Sequence, residues 1–232
     1  MHIQIESLIA AAIILLVSFP VHEWAHAYAA YRLGDGTAKM FGRLTLNPIV
    51  HFDPIGGLLL IASSLTGVGI GWAKPTPVNP ANLRGGTDSE GIVAFAGPAS
   101  NLVLAAIGAI PLRLILASNS TPLVLYLIEP ASLSNIVPKV LFYFVLINVA
   151  LMLFNLVPVP PLDGSKVLFS FMSPRQQFRY RPILEQYGFI LLIFVAFVPL
   201  LPGPGGSQTI FTFIFDKIGG PIVNVLIGQS VF

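Results

Sequence analysis

The chain has 232 residues, 55% of them hydrophobic and 9% charged, with a net charge of +2. Soluble domains carry about 25% charged residues, so an ordinary water-soluble globule is excluded, as is a disordered chain, and the small scattered basic excess is no nucleic-acid footprint. There is no cysteine, which excludes disulfides, thiolate metal sites and cysteine nucleophiles.

A membrane-crossing helix needs about 20 mostly apolar residues. Such runs predict spans at residues 7–33, 91–116, 137–156, 183–201 and 207–228. The last is weakened by Asp216 and Lys217 in its middle, so whether it crosses fully stays open. The first has no basic leader and no small-residue cleavage site, so it is not expected to be a cleaved signal peptide. The expected fold is an all-α polytopic membrane protein of about five transmembrane helices, with a membrane-associated β-hairpin or strand element after the first. Residues 1–232 form one membrane-embedded domain, with a core at about 7–172 and C-terminal helices at about 183–228.

Residues 34–90 form the long first connection. Its apolar part, residues 55–70, contains Gly56, Gly57, Gly67 and Gly69. That glycine content argues against a long helix and for strands or a re-entrant hairpin sheltered by protein. Residues 75–86 read as a polar, Pro-rich surface loop. Residues 202–206 read as a tight connection between the last two spans. Arg32, Lys39, Arg43, Lys74 and Arg84 follow the first span, and Lys166, Arg175, Arg179 and Arg181 follow the third. The positive-inside rule then places both groups, and the C-terminus, in the cytoplasm, with the three arginines as anchoring charge.

The first span contains His22-Glu23-Trp24-Ala25-His26. On a helix, residues four apart share a face, so both imidazoles reach one metal ion with Glu23 beside them. This HExxH spacing is that of zinc metalloproteases, in which Glu is the general base. Ionisable groups inside a membrane are costly and are functional candidates by default. Catalytic zinc usually has three protein ligands plus water. The best-placed third ligand is Asp163, in Asn155-Leu156-Val157-Pro158-Val159-Pro160-Pro161-Leu162-Asp163-Gly164. Its prolines end the third span in an extended segment. The same Asp163 could instead cap the helix that follows. Gly97-Pro98-Ala99-Ser100-Asn101 reads as close helix packing.

HEWAH in an apolar helix, paired with NxxPxPPLDG, resembles the site-2 protease family of intramembrane zinc metalloproteases. The similarity extends through Gly42–Pro48, His51–Gly56, Gly71–Pro80 and Ala96–Asn101, covering about residues 18–172. It looks like a minimal form of that family, without a PDZ or CBS domain. The resemblance implies one zinc ion on His22, His26 and Asp163, Glu23 as base, and Asn155 as a group holding substrate or oxyanion. It also implies that residues 41–72, with Gly56 and Gly57, are a strand element that accepts substrate as an added strand. His51 matches a family position and is expected to make a structural hydrogen bond. The expected partner is a transmembrane protein substrate already cut once by another protease, in a prokaryotic cell membrane, with the site toward the cytoplasm. A zinc transporter and a catalytically inactive scaffold are the competing readings.

Overall fold

The structure is a computed structural model, and it describes residues 9, 12–66, 71–119, 122–129, 132, 135–203 and 206–231. Helix α1 (Phe19–Arg32) follows a π-helical turn, Ile14–Ser18. Three short helices come next: α2 (Thr37–Met40), α3 (Pro48–His51) and α4 (Pro54–Thr66). The long α5 (Gly86–Asn119), the short α6 (Leu123–Ile128) and α7 (Ile136–Leu156) lead to α8 (Asp163–Ser170) and α9 (Pro174–Phe197). Strands β1 (Pro199–Gly203) and β2 (Gly206–Thr209) precede α10 (Ile210–Ile214), a second π-helical turn (Phe215–Gly219) and α11 (Gly220–Ile227).

Among the described residues, four helices are long and apolar enough to cross a membrane: Gly86–Ser118, Ile136–Leu156, Pro174–Phe197 and the composite Ile210–Ile227. Much of the beginning of the expected first span lies outside the described residues. The doubtful last segment meets the same length and apolarity test as the others. There Asp216 and Lys217 sit on the exposed side of the π turn, with Lys217 Nζ 5.9 Å from the Phe213 ring centre.

The core lies between α5, α7 and α11. Ala105, Ala109 and Leu112 of α5 pack on Phe142, Val145, Val149 and Met152 of α7, with Val223 and Ile227 behind them. Small residues let these helices approach closely. A side chain at Gly108 would run into the Phe144 ring. Helices in lipid associate through such contacts because lipid tails supply no hydrophobic drive between them.

One sequence expectation is overturned. Residues 48–66 are helical except for Phe52 and Asp53, and none of the described residues between 41 and 72 is in a strand. The local chemistry favours helix. Asn47 caps α3 through Ile49 N, ahead of Pro48 at the first helical position. Asp53 Oδ1 likewise accepts from Ile55 N and Gly56 N, ahead of Pro54. A helix satisfies its own backbone in lipid, which a lone strand does not. Gly56 and Gly57 serve close packing instead: a Cβ at the first would overlap the Trp72 carbonyl, and at the second the Phe52 ring. Residues 67–70 lie outside the described residues. The antiparallel sheet forms elsewhere, at the expected tight connection, with Gly203 opposite Gly206 and Pro199 opposite Thr209.

Candidate metal and catalytic site

Three helices meet at a polar cluster in an otherwise apolar interior. His22 and His26 project from one face of α1, and Asp163 opens α8. The position before α8 is Leu162, and no side chain caps the helix. Asp163 is therefore no cap; its carboxylate turns toward the imidazoles. Gly164 makes this turn possible, because a Cβ there would collide with the Leu156 carbonyl at the end of α7.

The three groups come together. His22 Nε2 lies 3.0 Å from His26 Nε2. Asp163 Oδ2 lies 3.2 Å from the first and 3.1 Å from the second. Among the described residues, this is the one group of three or more His, Asp or Glu side chains close enough to share an ion.

The protonation pattern follows from the outer partners. His22 Nδ1 donates to Asn101 Oδ1 at 2.6 Å, and His26 Nδ1 donates to the Val93 carbonyl at 2.7 Å. Both Nε2 atoms are then lone-pair acceptors, and they face each other and a carboxylate oxygen. Three acceptors this close repel one another unless a cation lies among them. Ligand atoms about 2.0–2.1 Å from a tetrahedral zinc ion lie about 3.3 Å apart, close to the spacing here. The donor set and its outer hydrogen bonds thus fit a zinc ion.

Helix α5 supplies the floor. Val93, Gly97 and Asn101 recur every fourth residue and so share a face. The outer two hold the imidazoles, and the middle one leaves room for them. A Cβ at Gly97 would overlap His26 Nε2 and come within 2.6 Å of His22 Nε2. Reading this stretch as packing missed the partner that Asn101 gives to His22. Its only sequence signal was an amide in an apolar helix.

Glu23 is half-buried on the wall of a cavity of about 720 Å³ that also exposes His22, His26, Asp163 and Asn155. Glu23 Oε2 accepts from Thr76 N at 2.7 Å, and Thr76 Oγ1 donates to the Glu23 carbonyl at 3.0 Å. Asn155 Nδ2 donates to the Leu151 carbonyl at 2.9 Å. An amide nitrogen carries two hydrogens, so one donor and Oδ1 remain to meet a ligand. Phe19, Leu59, Trp72, Phe154, Phe189 and Leu192 make the walls largely apolar. The loop expected to be mere surface also lines the cavity, through Pro75, Thr76, Val78 and Pro80.

His51 is buried away from the metal group. Its Nε2 donates to the Thr45 carbonyl at 2.8 Å, and its Nδ1 has no hydrogen-bond partner. Neither Gly56 nor Gly57 lines the cavity: Gly56 packs on Trp72, which does, and Gly57 packs on Phe52. The loop after α1 is pinned by Asp35, fully buried, which accepts from Thr37 N, Asn79 N and Asn82 Nδ2. Burial alone raises its pKa, but hydrogen bonds from Thr37, Asn82 and Asn79 outweigh it and hold the carboxyl below its ordinary value. Arg181 is more than anchoring charge: it forms a forked pair with Glu90 at 3.0 and 3.1 Å and also reaches Glu185.

The sequence matches the family model described as Peptidase family M50 over residues 10–198. Six relatives carry the printed description "Putative zinc metalloprotease", three of which illustrate the range. YwhC of Bacillus subtilis (strain 168) is 40% identical over 188 residues, covering 81% of this chain and 80% of that one. Rip2 of Mycolicibacterium smegmatis is 31% identical over 189 residues, covering 80% of this chain and 66% of the relative. Rip3 of Mycobacterium tuberculosis (strain ATCC 25618 / H37Rv) is 32% identical over 165 residues, 71% of this chain but 31% of that relative. No solved structure gives a significant match. With most of its length matched to the family model and four apolar helices of spanning length, this chain belongs to peptidase family M50, the site-2 protease family, and is an integral membrane peptidase.

Proposed function

We propose that the protein is an intramembrane zinc endopeptidase that cleaves transmembrane segments of other membrane proteins. One observation carries this reading: His22, His26 and Asp163 converge within 3.2 Å on a cavity that also presents Glu23. His22, His26 and Asp163 would hold zinc. When bound there, zinc would polarise a peptide carbonyl and make water more acidic. Glu23 accepts a proton from the attacking water and passes it to the leaving nitrogen. Asn155 uses its remaining N–H to stabilise charge developing on the carbonyl oxygen.

Residues 71–79 are neither helix nor strand, and six of them, from Gly71 to Val78, line the cavity. A helical substrate hides its carbonyls in internal hydrogen bonds and must unwind to be cut. An unwound segment can lie beside this stretch, where the apolar wall accepts its side chains. The substrate is read as one already shortened by a first protease. The positive charges near the ends of α1 and α8 favour a site opening to the cytoplasmic side of a bacterial membrane.

The test uses the full chain in nanodiscs with zinc and single-span reporter proteins. Wild type is expected to bind one zinc ion and cut within the span. Glu23→Gln is expected to keep the zinc and lose about 10²–10⁴-fold in rate. Equal cutting by that variant overturns the role of Glu23. Zinc binding undiminished in an His22→Ala/Asp163→Ala variant overturns the ligand set. Zinc flux through the protein into proteoliposomes would favour a transporter instead.

A further inference from the structure

We propose that Asn101 and Asn148 form a two-amide positioning relay that fixes the His22 ring for metal binding. The inference rests on the zinc reading above and deepens it. Both asparagines are fully buried. Asn148 Nδ2 donates to the Phe144 carbonyl at 2.8 Å, one turn back on α7. Asn101 Nδ2 donates to Asn148 Oδ1 at 3.0 Å, and Asn101 Oδ1 accepts from His22 Nδ1 at 2.6 Å.

The order of these bonds is forced from one end. A backbone carbonyl only accepts, so Asn148 must turn its nitrogen toward Phe144. Its oxygen then faces Asn101, which must offer its own nitrogen. The Asn101 oxygen is left for His22, and an oxygen there demands a hydrogen on Nδ1. Turning either amide over would set two donors or two acceptors against each other in an apolar interior, where water is not present to relieve them. The relay therefore selects one tautomer of His22 and leaves Nε2 unprotonated, aimed at His26 and Asp163.

The relay also joins three helices. It runs from α7, whose end leads into the Asp163 turn, through α5 to α1. His26 gets the same service from the Val93 carbonyl, which belongs to the backbone. His22 alone depends on side chains, and one of them, Asn148, lies a full residue beyond the imidazole's own partner. Outer partners of this kind orient metal ligands, and their loss weakens metal affinity by about 10–100-fold.

The test measures zinc affinity of the full chain in detergent by competition with a chromogenic chelator, with helical content and elution volume as folding controls. Asn101→Leu is expected to weaken zinc binding about 10–100-fold. Asn148→Leu is expected to weaken it about 3–10-fold, less than loss of the direct partner. The double variant is expected to be no weaker than Asn101→Leu alone, because Asn148 acts only through Asn101. Asn101→Asp/Asn148→Leu keeps an acceptor for the Nδ1 hydrogen without setting two oxygens face to face, and is expected to bind zinc at least as tightly as Asn148→Leu alone. A purely structural role would not produce that rescue.

Undiminished zinc affinity in folded Asn101→Leu overturns the relay, as does an additive double variant. If Asn101→Leu does not fold, Asn101→Asp/Asn148→Leu and Asn148→Leu decide. A tenfold loss in the former relative to Asn148→Leu, or no loss in the latter, overturns it. Zinc binding by His22→Ala/Asp163→Ala equal to that of wild type refutes the ligand set itself, a result separate from any difference among the asparagine variants.

Discussion

The helices that hold the site and those that follow it are embedded in the protein to different degrees. In α7 the most apolar stretch is 44% buried within the protein, and in α5 33%; in α9 the figure is 11%. The first pair interlocks through small residues and backs the proposed ligands, through Val93 and Asn101 behind the imidazoles and Leu156 behind the Asp163 turn. Helix α9 turns most of its apolar surface outward, with Phe189, Ile190 and Phe194 exposed. It is tied to the rest at a few points: the Arg181–Glu90 pair, Gly188 against Pro160, and Leu192 packed with Val157 and Leu162. Yet Phe189 and Leu192 also line the cavity. The lesson is a division of labour. Chemistry sits where the packing is tight, and one wall of the chamber belongs to the loosely held part.

Breaking the tight half should have the largest effect. Gly97→Ala puts a methyl group against both imidazole rings. Zinc retained after dialysis and the rate of reporter cleavage should each fall by about 100-fold, since a shift of about 1 Å at a catalytic group has that scale. Loss of cleavage with full zinc occupancy would show that the α5 floor matters for something other than the ligands.

Loosening the other half should be milder. Arg181→Ala leaves the buried Glu90 carboxylate without its partner and should cost on the order of 2 kcal/mol, reduced from a fully buried pair because Arg181 is partly exposed. The thermal midpoint should drop by several degrees, while zinc affinity stays at the wild-type value. Adding Glu90→Gln should recover part of the midpoint, because the orphaned charge is the main cost. A large zinc loss in Arg181→Ala would mean that the two halves are not separable.

The smallest effect is expected at the loop that frames the chamber. The Asp35 carboxyl sits below its ordinary pKa, so its ionised form stabilises the folded state. That contribution is present above about pH 4 and is lost as pH falls through the lowered folded value. Asp35→Asn should lower the midpoint by about 2–4 °C at pH 7, equivalent to about 1 kcal/mol. Its midpoint should then decline less than that of wild type on acidification below pH 4. Parallel acid limbs in thermal melts would remove Asp35 from this role.

The sequence made the candidate ligands legible in two different ways. Helix spacing pairs His22 with His26, whereas Asp163 rests on the need for a third ligand, its place after the proline break and the family resemblance. Helix α4 departs from the strand expectation because Gly56 and Gly57 do not break it; their task is close contact with Trp72 and Phe52. That distinction depends on neighbours that local pattern does not reveal. The Arg181–Glu90 pair and the Asn148–Asn101 bond join residues 91 and 47 positions apart. Such pairings leave no periodic trace in a single chain. The loop at 75–80 looked like surface for the same reason: its prolines announce an extended path but not what the path runs beside.

Thr76 stands between Pro75 and Pro77, which have no amide hydrogen to give. Its N–H is the tripeptide's sole backbone donor, and it grips one oxygen of Glu23. A main-chain clamp of this sort survives every side-chain exchange at position 76 except proline. No described residue bonds the other oxygen, Oε1. In the proposed reaction, Oε1 would therefore be the atom of Glu23 that takes the proton.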